Sequence, residues 1–431
     1  MKPKGYLFFH LNLAFSSIEE DSRADVIRDC YHPLLDLIEE TGVPAGIELS
    51  GWSLKQIEQI DFGWIVRFKK LLDSNSCELI GSGYCQIIGP LVPYKVNEWN
   101  QKLGLQEYTR ILGAQPKIAL VNEMAYSDGL LELYAKFGYK GFIMDRDNIK
   151  LALGKVGKFP THAKGNGNSI LPVLWADSIL FQKVQHYAHG EIPLTEYINY
   201  INQRITEGDM LLPIYSNDVE VFDYRPGRFS VERPTHPDGE WSRVKDMIVS
   251  LSEDVRLDWI SPSEALSLNC QNQSGKETLQ LSSGAYPVPV KKQAKYNISR
   301  WAVTGRDDTW LNTMCYRIYE KLDSSGSADF GNWENLCELW ASDFRTHLTE
   351  KRWSAAKDKV QNTLKSLELS GHYGVQREDS QSFRSVRDHD LIGGFKCRIF
   401  GEGIYLALEN EKIKIVLNLR RGLAIDSLTF S

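Results

Sequence analysis

From residue 5 to about residue 265, short runs of apolar residues alternate with longer stretches whose apolar positions recur at three- and four-residue spacing. The short runs, at 6–9, 45–49, 78–80, 118–121, 141–144, 171–175, 210–214 and 258–260, have the length of buried strands. The stretches at 26–40, 54–72, 98–112 and 128–137 have the period of helices with one packed face. Strand–helix repetition at this spacing predicts a parallel sheet. Its length, and the lack of a Gly-x-Gly-x-x-Gly turn, favour a β/α barrel of seven or eight strands over a dinucleotide-binding fold.

The pattern changes after residue 268. Residues 269–298 are rich in Gln, Ser, Gly, Lys and Pro and lack periodicity, so they are expected to be a linker. Apolar residues return at helical spacing over 309–322, 332–348 and 353–369, which predicts a helical bundle within 299–375. The tail changes again: 395–400, 403–408, 412–417 and 423–430 read as strands, with Arg420-Arg421-Gly422 as a turn. The expected organisation is therefore an α/β barrel over 1–268, a linker, a bundle, and a β segment over 390–431 that is either a short appendix or the start of a β-sandwich.

Composition narrows the class. The chain of 431 residues carries a formal charge of −6 with its basic residues scattered, which argues against nucleic acid as the main ligand. No signal-peptide pattern opens the chain and no run is long and apolar enough to span a bilayer, so a membrane role is not expected and a cytoplasmic location is. The 7 cysteines include no Cys-x-x-Cys pair, and Cys77, Cys85 and Cys315 lie in apolar context, which fits buried thiols in a reducing compartment. Tryptophan and tyrosine, at 11 and 19, give weak support for sugar stacking, since most of these rings are expected in the core.

Two segments carry candidate chemistry. The apolar run at 212–215 delivers Asp218, Glu220 and Asp223, followed by Arg225 and Arg228, into a loop that packing alone does not require. Upstream, Ile118-Ala119-Leu120-Val121 leads into Asn122 and Glu123. Strand-end acids from distant segments can face each other across one cleft in a barrel, and a carboxylate pair is what glycosidic bond cleavage needs: one attacks the anomeric carbon or activates water, and the other donates a proton to the leaving oxygen. Taken alone, Glu123 is read more readily as a first-turn acid of the next helix. Arg225 and Arg228 suit bidentate pairing with Asp218 and Glu220 or with an anionic sugar, structural pairing being favoured. Asp145-Arg146-Asp147 follows another apolar strand and is read equally as a cleft group or a helix start. His186 and His189 share a helical spacing, but no third ligand pattern stands near them, so a surface helix is expected and no metal or other cofactor.

The order of these motifs resembles glycoside hydrolase family 57, a family of retaining α-glycosidases and α-glucan transferases on an incomplete, seven-stranded β/α barrel. His10-Leu11-Asn12 resembles its first motif, and Ser50-Gly51-Trp52-Ser53-Leu54 the turn after its second strand. Glu78-Leu79-Ile80-Gly81-Ser82-Gly83-Tyr84-Cys85-Gln86 is similar to the motif that follows, and Trp340-Ala341-Ser342-Asp343-Phe344-Arg345 to the one on the site-closing helices. The resemblance, which covers about 5–355, implies Glu123 as nucleophile and Asp218 as acid/base. It places His10, Asn12, Glu78, Tyr84, Gln86, Asn122, Glu220, Trp340 and Asp343 among the substrate-binding candidates, to which Arg225 is added. The chain departs from the family where His10-Leu11-Asn12 stands for His-x-His or His-Gln-Pro, and where no Trp precedes Glu123. The implied partner is an oligo- or polysaccharide. The alternatives are a metal-dependent polysaccharide deacetylase, for which the chain lacks a His-x-x-x-His pair, and a carbohydrate-binding protein without turnover.

Overall fold

The computed structural model describes residues 2–146, 160–167, 169–224, 239–271, 278–279, 298–303, 305–345, 348–368, 389, 391–392, 394–401, 405–418 and 424–430. Ten strands form the first sheet: β1 (Lys4–Leu11), β2 (Ala45–Leu49), β3 (Cys77–Gly81), β4 (Ile118–Leu120), β5 (Gly141–Asp145), β6 (His162–Lys164), β7 (Ile170–Ala176), β8 (Leu211–Asp218), β9 (Asp258–Trp259) and β10 (Thr278–Leu279). Their order is β10-β6-β7-β5-β4-β3-β2-β1-β8, with β9 beside β1. The run from β7 through β5, β4, β3, β2 and β1 to β8 is parallel throughout. Among the described residues β7 and β8 are not joined by a ladder. This is the incomplete seven-stranded barrel that the family resemblance implies, within the seven or eight strands that the strand–helix pattern predicts.

The strands are apolar on both faces because each face has its own core. In β1, Leu7, Phe9 and Leu11 point outward and pack with Leu34, Leu35 and Ile38 of helix His32–Thr41 and with Trp64 and Phe68 of helix Phe62–Asp73. The alternate residues Tyr6 and Phe8 point inward and join Ile80, Ile118, Leu120, Ile143 and Leu174 in a plug that fills the barrel. Space there is tight: a Cβ on Gly46 of β2 would lie 2.5 Å from Ile80 Cδ1. The two-residue period then sets what sits above the plug. One step beyond Phe8, Gly46, Ile143 and Ser216, the inward positions are His10, Glu48, Asp145 and Asp218, at the C-terminal ends of their strands.

Several elements depart from the periodicity for tertiary reasons. The stretch 54–72 is two helices, Gly51–Ile60 and Phe62–Asp73, separated at Asp61, whose side chain accepts from Trp64 N at 3.2 Å and lies 2.8 Å from His32 Nε2. The stretch 26–40 contains a π-helical turn at Ile27–Tyr31. Residues 278–279, within the expected linker, form β10 against β6; most of the remaining linker lies outside the described residues. The helical region comprises helices Asp308–Ser324, Phe330–Leu339 and Glu350–Ser366, whose Leu311, Ile318, Trp333, Leu336 and Val360 pack with Val96 and Leu103 of helix Tyr94–Leu112. The stretch 332–348 is not one helix. It stops at Leu339 because Ala341 bridges Ile87 and the buried Arg345 guanidinium donates to the carbonyls of Leu339 and Ala341. The tail forms an antiparallel sheet of 5 strands in sequence order, β11 (Leu391–Ile392), β12 (Phe395–Phe400), β13 (Tyr405–Glu409), β14 (Ile413–Asn418) and β15 (Ala424–Phe430).

Candidate active site

Three adjacent strands bring a row of ionisable groups to the barrel mouth. His10 on β1 is in register with Glu48 on β2 and with Asp218 on β8. His10 Nδ1 lies 3.1 Å from Glu48 Oε2, and both side chains are buried, Glu48 fully. Burial works against charging the imidazole, but the Glu48 carboxylate, with Asp218 and Glu220 beyond it, outweighs burial and raises His10 above its ordinary value.

The acidic loop after β8 divides its carboxylates between two jobs. β8 continues past the predicted end to Asp218, whose carbonyl accepts from Tyr215 OH at 2.7 Å. Glu220 turns back into the protein, where its Oε1 accepts from Asn12 N at 2.8 Å and from Tyr31 OH at 2.5 Å. Burial first, then the charge of Asp218, pushes Glu220 up to about 7 against those two hydrogen bonds. Tyr31 reaches it from the π-helical turn, a local widening that often marks a functional position. Asp223 leaves the site: it accepts from Glu240 N at 2.8 Å and Trp241 N at 3.1 Å, while Glu240 Oε2 accepts from Asp223 N at 2.7 Å, a reciprocal cap on helix Glu240–Glu253.

Glu123 sits in a tight turn, Asn122–Met124, directly after β4. The following helix begins only at Asp128, with Ser127 at its N-cap position, so Glu123 has no capping task there. Its backbone is left-handed (φ 50°, ψ 18°), and Met124 is left-handed as well (φ 56°). Such conformations cost roughly 1–3 kcal/mol for each non-glycine residue and persist where the surroundings dictate them. Asn122 supplies part of that constraint by donating Nδ2 to Ser82 O at 3.1 Å and Ile87 O at 3.3 Å. The result is a half-buried Glu123 side chain whose Oε1 accepts from Ser342 Oγ at 3.4 Å.

Ser342 and Asp343 come from the broken helix of the C-terminal region. Ser342 N donates to Gln86 O at 2.7 Å, which fixes the segment against the loop after β3. Asn12 Nδ2 then donates to Asp343 Oδ1 at 3.1 Å and to Gln86 Oε1 at 3.2 Å, tying the end of β1 to both. Arg352, anchored on the carbonyls of Phe15 and Ala14 at 2.6 and 2.8 Å, lies near Asp343. Burial raises Asp343 to about 6; Arg352 and Asn12 oppose this, and the charges of Glu123 and Asp218 add to it. Asp343 therefore senses both candidate catalytic carboxylates, which stand far apart in the sequence.

His10, Asn12, Gln86, Glu123, Asp218, Glu220 and Asp343 are thus assembled in one place, with Asn122 beneath Glu123 as a brace. Three other candidates are placed elsewhere. Glu78 stands at the N-terminal part of β3, away from the mouth, and accepts from Ser263 N at 2.9 Å at the start of helix Pro262–Gln271. Tyr84 and Trp340 are buried in the cluster between the barrel and the helical region, where their rings pack against apolar neighbours. Arg225, Arg228 and Asp147 lie outside the described residues. The sequence reading missed Glu48, Tyr31, Ser342 and Arg352. Glu48 had a signal, being the one acid inside an apolar five-residue strand, and Ser342 lay inside the motif at 340–345 without being singled out; Tyr31 and Arg352 had none, because only long-range contacts give them their roles. Arg146 pairs with the fully buried Asp177, which also caps helix Ser178–Ala188 and accepts from Arg204. His186 pairs with Glu191 while His189 lies 3.1 Å from Val221 O, so the two rings serve different partners. Among the described residues no group of three or more His, Cys, Asp or Glu side chains is arranged to hold a metal ion.

Comparison with solved structures places this architecture. The 4-α-glucanotransferase from Thermococcus litoralis is similar with a TM-score of 0.60 and 13% identity, over 99% of this chain and 64% of that one. A GH57-type branching enzyme from Pyrococcus horikoshii is similar with a TM-score of 0.61 and 15% identity, over 85% of this chain and 88% of that one. An α-mannosidase from Enterococcus faecalis gives a TM-score of 0.62 and 12% identity, over 85% of this chain and 42% of that one. At these identities the likeness is one of fold. The chain spans less than two thirds of the glucanotransferase's length. No curated protein matches the sequence. The model of glycosyl hydrolase family 57 matches residues 7–265, more than half of the chain and nearly all of the parallel barrel, and the chain belongs to that family.

Proposed function

We propose that this protein cleaves or transfers α-linked sugar residues of an oligo- or polysaccharide with retention of configuration, using Glu123 as nucleophile and Asp218 as acid/base. The observation that carries the reading is the set of contacts linking the two strand ends: Ser342 Oγ donates to Glu123 Oε1 at 3.4 Å, the adjacent Asp343 accepts from Asn12 Nδ2 at 3.1 Å, and Asn12 N donates at 2.8 Å to Glu220, two residues past Asp218. In this reading Glu123 attacks the anomeric carbon, held in direction by its turn and by Ser342. Asp218 protonates the departing oxygen, and then takes a proton from water or from an acceptor hydroxyl as the glycosyl-enzyme is resolved. Two inversions give net retention. Glu220, anchored by Tyr31 and Asn12, is the neighbour that shares the negative field of Asp218. Residues 1–268 form the catalytic unit and the helices within 299–375 close it, contributing Ser342 and Asp343. The described cysteines are buried and free, which suits a reducing, cytoplasmic setting.

The test separates the two acids. Glu123→Gln should form no covalent intermediate even from an activated aryl α-glycoside. Asp218→Asn should still load Glu123 from that substrate while failing on a natural glycan. Azide should rescue Asp218→Asn to the α-glycosyl azide, and should rescue Glu123→Ala to the inverted β-azide. Full activity of either variant on a natural glycan sinks the assignment, and identical azide products from both sink the division of roles.

A further inference from the structure

Among the described residues Glu48 is the one fully buried carboxylate at the mouth that the two-acid scheme does not use. It stands in β2 between Ile47 and Leu49, both in the outer core, so the strand period turns it inward above the plug. Burying an ionised carboxylate is expensive unless a partner compensates it. Its Oε2 has His10 Nδ1 at 3.1 Å, while Oε1 has no hydrogen-bond partner among the described residues. The phenols of Tyr108, from helix Tyr94–Leu112, and Tyr139 also sense Glu48, and neither supplies a positive charge. On the far side of His10, Asp218 and Glu220 face the same ring, and Phe8 packs edge-on against it with centroids 5.4 Å apart.

We propose that Glu48 is the positioning residue for His10: its carboxylate accepts the hydrogen bond of Nδ1–H, holds the ring as an imidazolium, and thereby presents Nε2–H to a sugar hydroxyl beside Asp218. The pairing is built into the sheet, because Glu48, His10 and Asp218 occupy one register row across β2, β1 and β8. A neutral His10 could offer Nε2 only as an acceptor or lose its orientation, so the row defines both the charge and the direction of the donor. Removing the charge of Glu48 leaves burial unopposed on that side, and burial favours the neutral ring.

The kinetic part of this inference rests on the glycosidase reading; the titration part does not. With histidine labelled in ¹⁵N, the resonances of His10 are identified by their loss in His10→Gln and followed with pH in the parent, in Glu48→Gln and in Glu48→Asp. The parent ring should remain an imidazolium above the ordinary histidine value of 6.5. In Glu48→Gln its midpoint should fall below that value, and Glu48→Asp, which keeps the charge, should restore part of the difference. In parallel, kcat/KM on an aryl α-glycoside should fall about tenfold in Glu48→Gln, on the scale found when the carboxylate that orients a metal-bound histidine is removed, and its alkaline limb should move to lower pH. A parent His10 that titrates at or below 6.5, or a midpoint that Glu48→Gln leaves unmoved, overturns the proposal. If Glu48→Gln does not fold, the parent titration and Glu48→Asp decide alone. If the parent turns over no glycoside at all, the glycosidase reading fails while the His10 titration still decides the role of Glu48.

Discussion

Replacing Glu220 by glutamine tests the electrostatics of the barrel mouth without touching either proposed catalytic acid. Glu220 titrates at about 7 in the folded chain against an ordinary 4.5, because it is buried and faces Asp218. At about 1.4 kcal/mol for each pH decade between those values, keeping it ionised in the fold costs about 3 kcal/mol. The sign follows from which state holds the proton. Below pH 4.5 the carboxyl is protonated in both states and no penalty exists. Between 4.5 and about 7 the unfolded chain releases the proton while the folded chain keeps it, so stability is lost across that window; above it the penalty stays constant. The substituted amide cannot ionise, and its oxygen still accepts from Tyr31 and Asn12. Thermal melts from about pH 4.5 to about pH 8.5 should therefore show Glu220→Gln gaining on the parent by roughly 6 to 12 °C as pH rises, taking about 2–4 °C per kcal/mol for a unit of this size. Asp218→Asn should lower the upper end of the window, since it removes the neighbouring charge. Parallel melting curves for parent and Glu220→Gln over the whole range would refute the argument that Glu220 is a strained, buried acid.

Three further outcomes follow from where the side chains lie. Tyr31→Phe removes a donor to the ionised form of Glu220, so it should cost about 1.5–3 kcal/mol at about pH 8 and little at about pH 4.5, measured by urea unfolding; an equal cost at both pH values would deny the bond its charge. Glu78→Ala should lose about 1 kcal/mol, the value of an acceptor at a helix start, with kcat/KM unchanged, and a marked loss of kcat/KM would return Glu78 to the site. Trp340→Ala should cost about 3–5 kcal/mol as a buried aromatic truncation. A small stability change with a large fall in kcat would place its ring against the substrate instead.

The barrel was legible in the chain because it depends on local periodicity. Short apolar runs at regular spacing, each followed by a helical pattern, leave few arrangements other than a parallel sheet wrapped in helices, and β2 and β12 fall where the pattern put them. The same period dictates that the residues one inward step past Phe8 and Ser216 face the barrel mouth, which puts His10 and Asp218 there; Glu123 follows the outward Val121, so its place depends on the left-handed turn after β4, and its role was implied only by the family resemblance. What periodicity cannot register is a partner far along the chain. Whether Glu220 or Asp223 enters the site depends on Tyr31 and Asn12 on one side and Glu240 on the other. The helical pattern of 332–348 gives no sign that Gln86 and Arg345 break it and carry Asp343 to Asn12. Nor does the apolar frame of Glu48 say that a histidine on the neighbouring strand makes a buried carboxylate tolerable. Hydrophobic burial is a property of each residue and its near neighbours, so sequence carries it. The compensation of buried charge belongs to pairs, and only the folded chain decides which pairs meet.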